Sequence, residues 1–255
     1  MPARIWMPLP DVDFEPTEAA SPWLALTRAG HRVVITTESG NTPQADPKLL
    51  TGVLFGRMGA SEEAKARYAQ MAQSPEFKSP LPWKSVDPTS FDGLVLPGGH
   101  APGMRQYLGS EELQKKVAEF WKLGRPVGAI CHGVLVLARA RDASTGRSLL
   151  FERRTTCLVR YMELVAYYTT AWKLGRYYRT YPQTVEDEVR AALKDPDRQF
   201  ERGPFVLKDP SRFKDERKAF VVEDGHYLSG RWPGDASLFA EKFAALVDAR
   251  LKVAA

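Results

Sequence analysis

Short apolar runs alternate with amphipathic stretches along the opening segment of the chain. Residues 4–9 (RIWMPL) form an apolar run that prolines interrupt, and we predict a first strand there. We expect Thr17 to cap a helix over about 18–29, because apolar positions repeat there with helical spacing and Gly30 follows as a stop signal. The β-branched run at 31–37 (HRVVITT) predicts a second strand. A strand, a helix and a strand in this order are typical of a parallel sheet.

The same alternation returns after residue 90. The predicted elements are a buried strand at 94–97 (LVLP), a helix at 110–124, a strand at 125–130 (RPVGAI), an apolar helix at 131–140, a short strand at 154–159 (RTTCLV), an aromatic and basic helical region at 161–194, a charged loop to about 217, a hairpin at 219–231 and a closing helix at 234–252. The Asp-Gly pair within the hairpin is typical of its turn.

This order predicts an α/β fold in one domain over residues 1–255. We expect a flavodoxin-like, doubly wound and mostly parallel sheet that is sandwiched by helices. Two segments, about 42–90 and 158–217, interrupt the alternation and are interpreted as insertions. The first is rich in Pro, Ser and Gly around one helical stretch at 62–72, so little sheet is expected in it.

Composition and charge exclude several classes of protein. Apolar residues make up 44% and charged residues 26% of the chain, which excludes a disordered chain. The net charge of +5 comes from Lys and Arg that are spread among Asp and Glu, so no nucleic-acid partner is predicted. Two cysteines cannot form a disulfide framework, and we find no signal peptide and no apolar run of membrane-spanning length. We therefore predict a cytoplasmic protein without a membrane partner.

The sharpest chemical signal is Cys131. A strand, this reactive side chain and a helix follow one another without a loop residue between them, which is typical of a nucleophile elbow. Ala129 and Gly133 are small, as the tight turn requires, and the start of the helix predicts a lowered thiol pKa. The alternative is that Cys131 is a small buried apolar residue. Cys157 lies in an apolar strand and is interpreted as core, or else as a secondary redox thiol near the pocket.

Carboxyl and imidazole groups follow the other predicted strands. A carboxyl at the end of the first strand can approach an elbow on a neighbouring strand, and its pKa would rise beside a thiolate. Glu15 and Glu18 both follow the first strand and are the candidates, although each could instead favour the start of the helix. His100 could contact substrate or pack on its loop. His31 is interpreted as solvated and His226 as a structural or surface residue of the hairpin. No metal set and no cofactor motif is recognised.

Four segments together resemble the ThiJ/PfpI family of the class I glutamine amidotransferase-like superfamily, which includes protein deglycases and glyoxalase III proteins. They are AICHG (129–133), LVLPGGHAPG (94–103), PTEAASPW (16–23) and DGHYLSGRWPGDAS (224–237). The resemblance implies that Cys131 is the nucleophile and that Glu18 shares a proton with it. It also implies that the backbone N–H groups of Gly99 and His132 hold an oxyanion and that the His132 side chain is a base, unless that ring faces away. Gly98 and His100 belong to the same substrate-binding turn.

The chain also departs from the superfamily pattern. A glutaminase carries a distant His followed two residues later by Glu, whereas His226 is followed by Leu228, so glutaminase chemistry is not expected. Several family members carry an acidic or His partner just after the strand that holds Cys157. The residues that follow here offer none, and Glu163 is the nearest candidate.

We therefore predict a cofactor-independent cysteine enzyme of glyoxalase III or deglycase type that acts on small reactive carbonyls in stress or detoxification. The alternatives are amide or peptide hydrolysis through an acyl-cysteine, a non-enzymatic stress chaperone or redox sensor, and a domain that only packs with partners. The expected partners are a small carbonyl or amide substrate and further copies in a homodimer or larger assembly. The aromatic segment at 161–182 is interpreted as a pocket roof or dimer contact rather than a stacking surface for single-stranded nucleic acid.

Overall fold

A computed structural model describes residues 2–53, 58–179, 181–206 and 216–254. Its strands are β1 (Arg4–Pro8), β2 (Val12–Phe14), β3 (Arg32–Thr37), β4 (Gln44–Ala45), β5 (Leu81–Pro82), β6 (Gly93–Leu96), β7 (Val127–Ile130), β8 (Val221–Asp224) and β9 (Tyr227–Gly230). Its helices are α1 (Pro16–Arg28), α2 (Pro47–Thr51), α3 (Glu62–Gln73), α4 (Pro75–Lys78), α5 (Met104–Gly109), α6 (Glu111–Trp121), α7 (Val134–Arg139), α8 (Arg160–Leu174), α9 (Val185–Ala192), α10 (Pro196–Gln199) and α11 (Ala236–Ala254).

Within the described residues, seven strands form one sheet in the order β5-β3-β1-β6-β7-β9-β8. Every neighbouring pair is parallel except β8 and β9, which form the predicted antiparallel hairpin. The central strands β6 and β7 are buried along their whole length, as expected for parallel strands covered on both faces. Helices α1, α3 and α11 pack together as one group, and α7 packs against α5, α6 and α9 as another. The predicted flavodoxin-like fold is confirmed.

Two details of the predicted elements are wrong. Glu15, not Thr17, caps α1, because its carboxylate accepts the N–H of Glu18 and Pro16 occupies the first helical turn. No strand forms at 154–159, where one isolated bridge joins Thr155 to Phe200. The N–H of Thr156 donates instead to the hydroxyl of Ser229 in β9, since β8 already occupies the place beside β9 in the sheet.

The insertions differ from each other in structure. The first contributes two-residue strands only, of which β5 forms an edge of the sheet. The predicted helical region at 161–194 divides into α8 and α9, because Gly175 ends α8 with a positive φ of 57°. Part of the predicted charged loop, residues 207–215, lies outside the described residues. Within the described residues, no helix combines the length and hydropathy that a membrane span requires.

Candidate active site

Cys131 occupies a sharp turn between β7 and α7. Its φ is +58°, a conformation that costs a non-glycine residue about 1–3 kcal/mol, and the helix begins three residues later at Val134. Gly133 makes the turn possible, because a Cβ there would lie 2.1 Å from the carbonyl oxygen of Leu96. The chain therefore makes the elbow that the sequence predicted. The thiol is buried, at 2% exposure, and it lines a partly open cavity.

The carboxyl group of Glu18 lies beside this thiol. Its Oε2 accepts a hydrogen bond of 3.0 Å from the N–H of Gly98, and a Cβ on Gly98 would lie 2.7 Å from that oxygen and 2.8 Å from the Cβ of Cys131. Glycine is therefore required where these groups meet. The Oε1 of Glu18 is buried without a well-formed hydrogen bond to any described residue, and the Cys131 thiol is its polar neighbour. The ends of β1, β6 and β7 thus converge, as parallel strands of one sheet must.

Burial controls the acidity of this site. Burial raises the pKa of Glu18 well above its ordinary value, and the nearby charge of Glu15 raises it further. Burial also raises the pKa of the Cys131 thiol, and the charge of Glu18 is the next largest cause of this rise. The N–H of His132 opposes it. This direction is opposite to the one that the helix start predicted. Glu15 is also affected, since burial raises its pKa to about 7.

The two candidate histidines stack at the thiol. Nδ1 of His132 lies 3.4 Å from the Cys131 sulfur, so the ring faces the thiol. The ring centroids of His132 and His100 are 5.4 Å apart and their planes differ by 13°. Burial lowers the pKa of His100 to about 4 and that of His132 well below its ordinary value. Both imidazoles are therefore neutral at physiological pH.

Glu163 does not hydrogen-bond to His132. One of its carboxylate oxygens pairs with Arg179 at 2.6 Å, and the other accepts the N–H of Val185 at 2.9 Å. The charged side chains that act on His132 are Arg139 and Arg179, which lower its pKa. Glu163 therefore does not serve as the acidic partner that would orient the His132 ring.

The cavity has a volume of about 320 Å³. Glu15, Glu18, His100 and Cys131 provide its polar groups at the sheet edge. The second insertion adds apolar residues from and around α8, and the lining is completed by the first insertion and the end of β9; the principal apolar residues are Leu49, Val53, Met58, Leu158, Met162, Val165, Ala166, Val206 and Trp232. The segment interpreted as a pocket roof therefore lines the cavity, but mainly through non-aromatic side chains of α8. Two of its aromatic residues, Tyr168 and Trp172, instead point outward at 70% and 69% exposure.

Tyr178 and its partner Asp46 are not among the predicted site residues. The Tyr178 ring lies 4.6 Å from the ring of His100 and lines the cavity. Its hydroxyl donates to Asp46 at 3.1 Å, and the Tyr177 hydroxyl donates to the same carboxylate at 3.2 Å. This contact joins the two insertions. Only the position of Tyr178 within the aromatic segment at 161–182 could have suggested that this residue lines the cavity.

Other predicted residues lie away from the cavity. Cys157 is fully buried in the core, as its apolar context suggested, and its thiol contacts the carbonyl oxygen of Leu158. The prediction for His31 is wrong, because the ring is 7% exposed, accepts the N–H of Ala3 and lies 3.2 Å from Asp248. His226 packs on Trp121, with centroids 4.7 Å apart, in the hairpin turn. Among the described residues, no cluster of three or more His, Cys, Asp or Glu could hold a metal ion.

Gly99 follows Gly98 in the turn after β6. Its φ is +146°, and no described residue accepts a hydrogen bond from its N–H. The N–H of His132 lies within hydrogen-bonding reach of the Cys131 sulfur and therefore favours the ionised form of that thiol. Gly98, the neighbour of Gly99, lies against the elbow, and the role of the Gly99 and His132 amides toward an oxyanion stays a prediction.

Comparison with known proteins supports the same family. A family model described as ThiJ/PfpI family-like matches residues 9–204. An uncharacterised protein of Schizosaccharomyces pombe is 27% identical over 251 residues, which cover 95% of this chain and 83% of that protein. A deglycase of Thermococcus kodakarensis is 40% identical over 167 residues, which cover 66% and 69% of the two chains.

Comparison with solved structures supports the fold. The glyoxalase III of Candida albicans superimposes with a TM-score of 0.69 at 19% identity, covering 96% of this chain and 97% of that one. The family match covers most of the chain, including the turn after β6 and the elbow at Cys131. The chain therefore belongs to the ThiJ/PfpI-like family.

Proposed function

We propose that this chain is a cofactor-independent cysteine enzyme that acts on small reactive carbonyls, of glyoxalase III or deglycase type. The observation that carries the proposal is the meeting of the Cys131 thiol and the Glu18 carboxyl at one cavity, with Nδ1 of the neutral His132 ring 3.4 Å from the thiol. The names of the archaeal deglycase and the fungal glyoxalase III support the same class of chemistry. A role in detoxification, a cytoplasmic location and a homodimer or larger assembly stay predictions.

The first chemical step is addition of sulfur to an aldehyde. The Cys131 sulfur bonds to the aldehyde carbon of a 2-oxoaldehyde, and the carbonyl π electrons move to oxygen. The thiol proton passes to that oxygen, either through Glu18 or through Nδ1 of His132, which lies 3.4 Å from the sulfur. The N–H groups of Gly99 and His132 would stabilise the oxygen while it is charged. The product of this step is a hemithioacetal.

The second step transfers hydrogen within the substrate. Neutral His132 takes the proton from the former aldehyde carbon and returns it to the neighbouring carbonyl carbon through an enediol, while the hydroxyl proton of the hemithioacetal moves to the neighbouring carbonyl oxygen. The first carbon is oxidised to a thioester and the second is reduced to an alcohol, so electrons balance without another reactant. Water then cleaves the thioester, which releases a 2-hydroxy acid and restores the Cys131 thiol.

Methylglyoxal turnover tests the proposal. We expect Cys131→Ala to abolish turnover and Glu18→Gln to lower kcat/KM by at least about 100-fold, since each variant removes a proton-transfer or nucleophilic group. Cys157→Ala is the matched control, because this second buried cysteine does not line the cavity, and it should retain activity in folded protein. If folded Cys131→Ala protein turned over methylglyoxal at the rate of the wild type, Cys131 would not be the nucleophile.

Product analysis separates the two reaction types. Conversion of free methylglyoxal to lactate identifies a glyoxalase, whereas recovery of the unmodified amine from a freshly glycated amino acid identifies a deglycase. The two assays must be run at equal free methylglyoxal, because removal of the free aldehyde also reverses an early adduct. Amine recovery no faster than this indirect reversal would favour the glyoxalase reaction alone.

A further inference from the structure

The cavity is larger than a three-carbon substrate needs. Its volume of about 320 Å³ lies at the lower end of the range of about 300–1,000 Å³ found for pockets that bury drug-sized ligands. The thiol and its partners occupy the sheet edge, and the remaining lining comes chiefly from the insertions. A methylglyoxal molecule bonded to Cys131 would therefore leave much of this apolar space without contacts.

One face of α8 forms a large part of that apolar space. Met162, Ala166 and Thr170 are spaced by four residues, so they lie on one face of the helix, and all three line the cavity. Ala166 is the smallest side chain among them, and it leaves room above the sheet edge. Ala171 lies on the same helix but does not line the cavity.

The charge of the lining selects against anions. Among the described residues that line the cavity there is no Lys or Arg, and the ionisable groups include the carboxyls of Glu15, Glu18 and Glu163. Arg179, which contacts the lining residue Glu163, is already paired with that carboxylate. A substrate carboxylate would therefore lose its hydration without gaining a cationic partner.

We propose that this chain prefers 2-oxoaldehydes with an uncharged aryl or branched alkyl substituent over methylglyoxal, and that Ala166 on α8 leaves the space for that substituent. The proposal rests on the proposed function, because it names the substrate class of the same site. The substituent would pack against α8 and Leu158 while its aldehyde carbon meets the Cys131 sulfur. A 2-oxo acid of the same size would be rejected for its charge.

Kinetics with phenylglyoxal and methylglyoxal test this preference. We expect wild-type kcat/KM to be at least about tenfold higher for phenylglyoxal, since buried apolar groups of this kind discriminate by about 10- to 200-fold. Ala166→Leu should lower the ratio of the two kcat/KM values by at least about tenfold, because it fills the space for the ring. Ala171→Leu makes the same change outside the cavity and should leave the ratio unchanged. A wild-type preference for methylglyoxal, or an unchanged ratio in Ala166→Leu, would overturn the proposal.

Binding without chemistry keeps this inference separate from the proposed reaction. Folded Cys131→Ala protein should bind acetophenone, as followed by ligand-detected NMR, and the added Ala166→Leu change should weaken that binding by at least about tenfold. Phenylglyoxylate, with the same ring and a carboxylate, should compete at least tenfold less well. If the wild type converts no aldehyde but these binding results hold, the reaction fails and the apolar site stands. If acetophenone does not bind, or phenylglyoxylate binds as well, the site assignment is overturned.

Discussion

Three acidic groups lie together in this site, and that shapes its behaviour at the scale of single residues. Glu15, Glu18 and Cys131 all have raised pKa values because burial disfavours their charged forms. Each charge that forms also raises the pKa of a neighbour, so the groups do not lose their protons independently. The site therefore holds protons at neutral pH. Such a site suits a reaction whose first step adds the thiol to an aldehyde and passes a proton to the aldehyde oxygen.

The raised pKa of Glu15 predicts a change of stability with pH. The pKa moves from 4.5 to about 7 on folding, so the folded chain keeps a proton that the unfolded chain has lost between these values. The stabilisation by this proton is complete below about pH 4.5 and is lost as the pH rises through about 7. Relative to Glu15→Gln, the wild type should therefore lose up to about 3 kcal/mol of unfolding free energy over this interval.

Urea unfolding at pH 5 and pH 8 measures this difference. The matched control is Glu119→Gln, which makes the same change at an exposed position of α6. Its free energy of unfolding should differ from that of the wild type by the same amount at both pH values. If the difference in unfolding free energy between Glu15→Gln and the wild type is also independent of pH, Glu15 does not keep a proton in the folded chain as inferred.

At the scale of elements, the cavity depends on how the two insertions meet. Asp46 caps α2 in the first insertion by accepting the N–H of Lys48. The same carboxylate accepts the hydroxyls of Tyr177 and Tyr178, which follow α8 in the second insertion. The Lys48 ammonium lies 3.9 Å from the centre of the Tyr177 ring and adds a cation–π contact. These contacts hold Tyr178 against His100 at the cavity.

A double-mutant cycle between Asp46→Asn and Tyr178→Phe should report this contact. We expect a coupling energy of about 1 kcal/mol or more in urea unfolding, because the hydrogen bond links a buried hydroxyl to a carboxylate. Tyr168→Phe is the control, since that ring is exposed and belongs to the same segment, and its cycle with Asp46→Asn should be additive. Additivity in the Tyr178 cycle would show that this bond does not join the insertions.

At the scale of the whole molecule, Arg231 ties the sheet to the second insertion and to α11. The side chain is fully buried just after β9 and pairs with Asp235 at 2.8 Å. It also donates to the carbonyl oxygens of Arg202, Pro204 and Lys218. Since Trp232 is the next residue and lines the cavity, this anchor also supports one cavity wall.

Asp235→Ala should destabilise the protein by about 3–5 kcal/mol, because it leaves the buried Arg231 guanidinium without its counter-charge. Chemical denaturation followed by circular dichroism measures the loss. Glu152→Ala breaks the exposed pair with Lys194 and should cost less than about 1 kcal/mol. Similar costs for the two variants would contradict an anchoring role for Arg231.

Much of the fold and part of the site could be predicted because they depend on local pattern. Parallel strands that are covered on both faces are apolar along their length, so β6 and β7 are visible in the sequence. The turn at Cys131 is equally local, since a strand, a thiol and a helix follow one another directly. A carboxyl group near this edge could be expected because strand ends of a parallel sheet converge, but the choice of Glu18, in the first turn of α1, over Glu15 came from the resemblance to the ThiJ/PfpI family.

The sequence by itself therefore determined the sheet, the elbow and the side chains that can meet at its edge. Only the tertiary structure decided the direction of the Cys131 pKa change, since burial depends on everything packed around the thiol. It also decided that His31 is buried and that α8 forms an apolar wall. The contact between Asp46 and Tyr178 joins residues 132 positions apart, and no local pattern encodes a contact at that separation. The reactive groups follow from short-range order, whereas the environment that sets their acidity and substrate space follows from long-range packing.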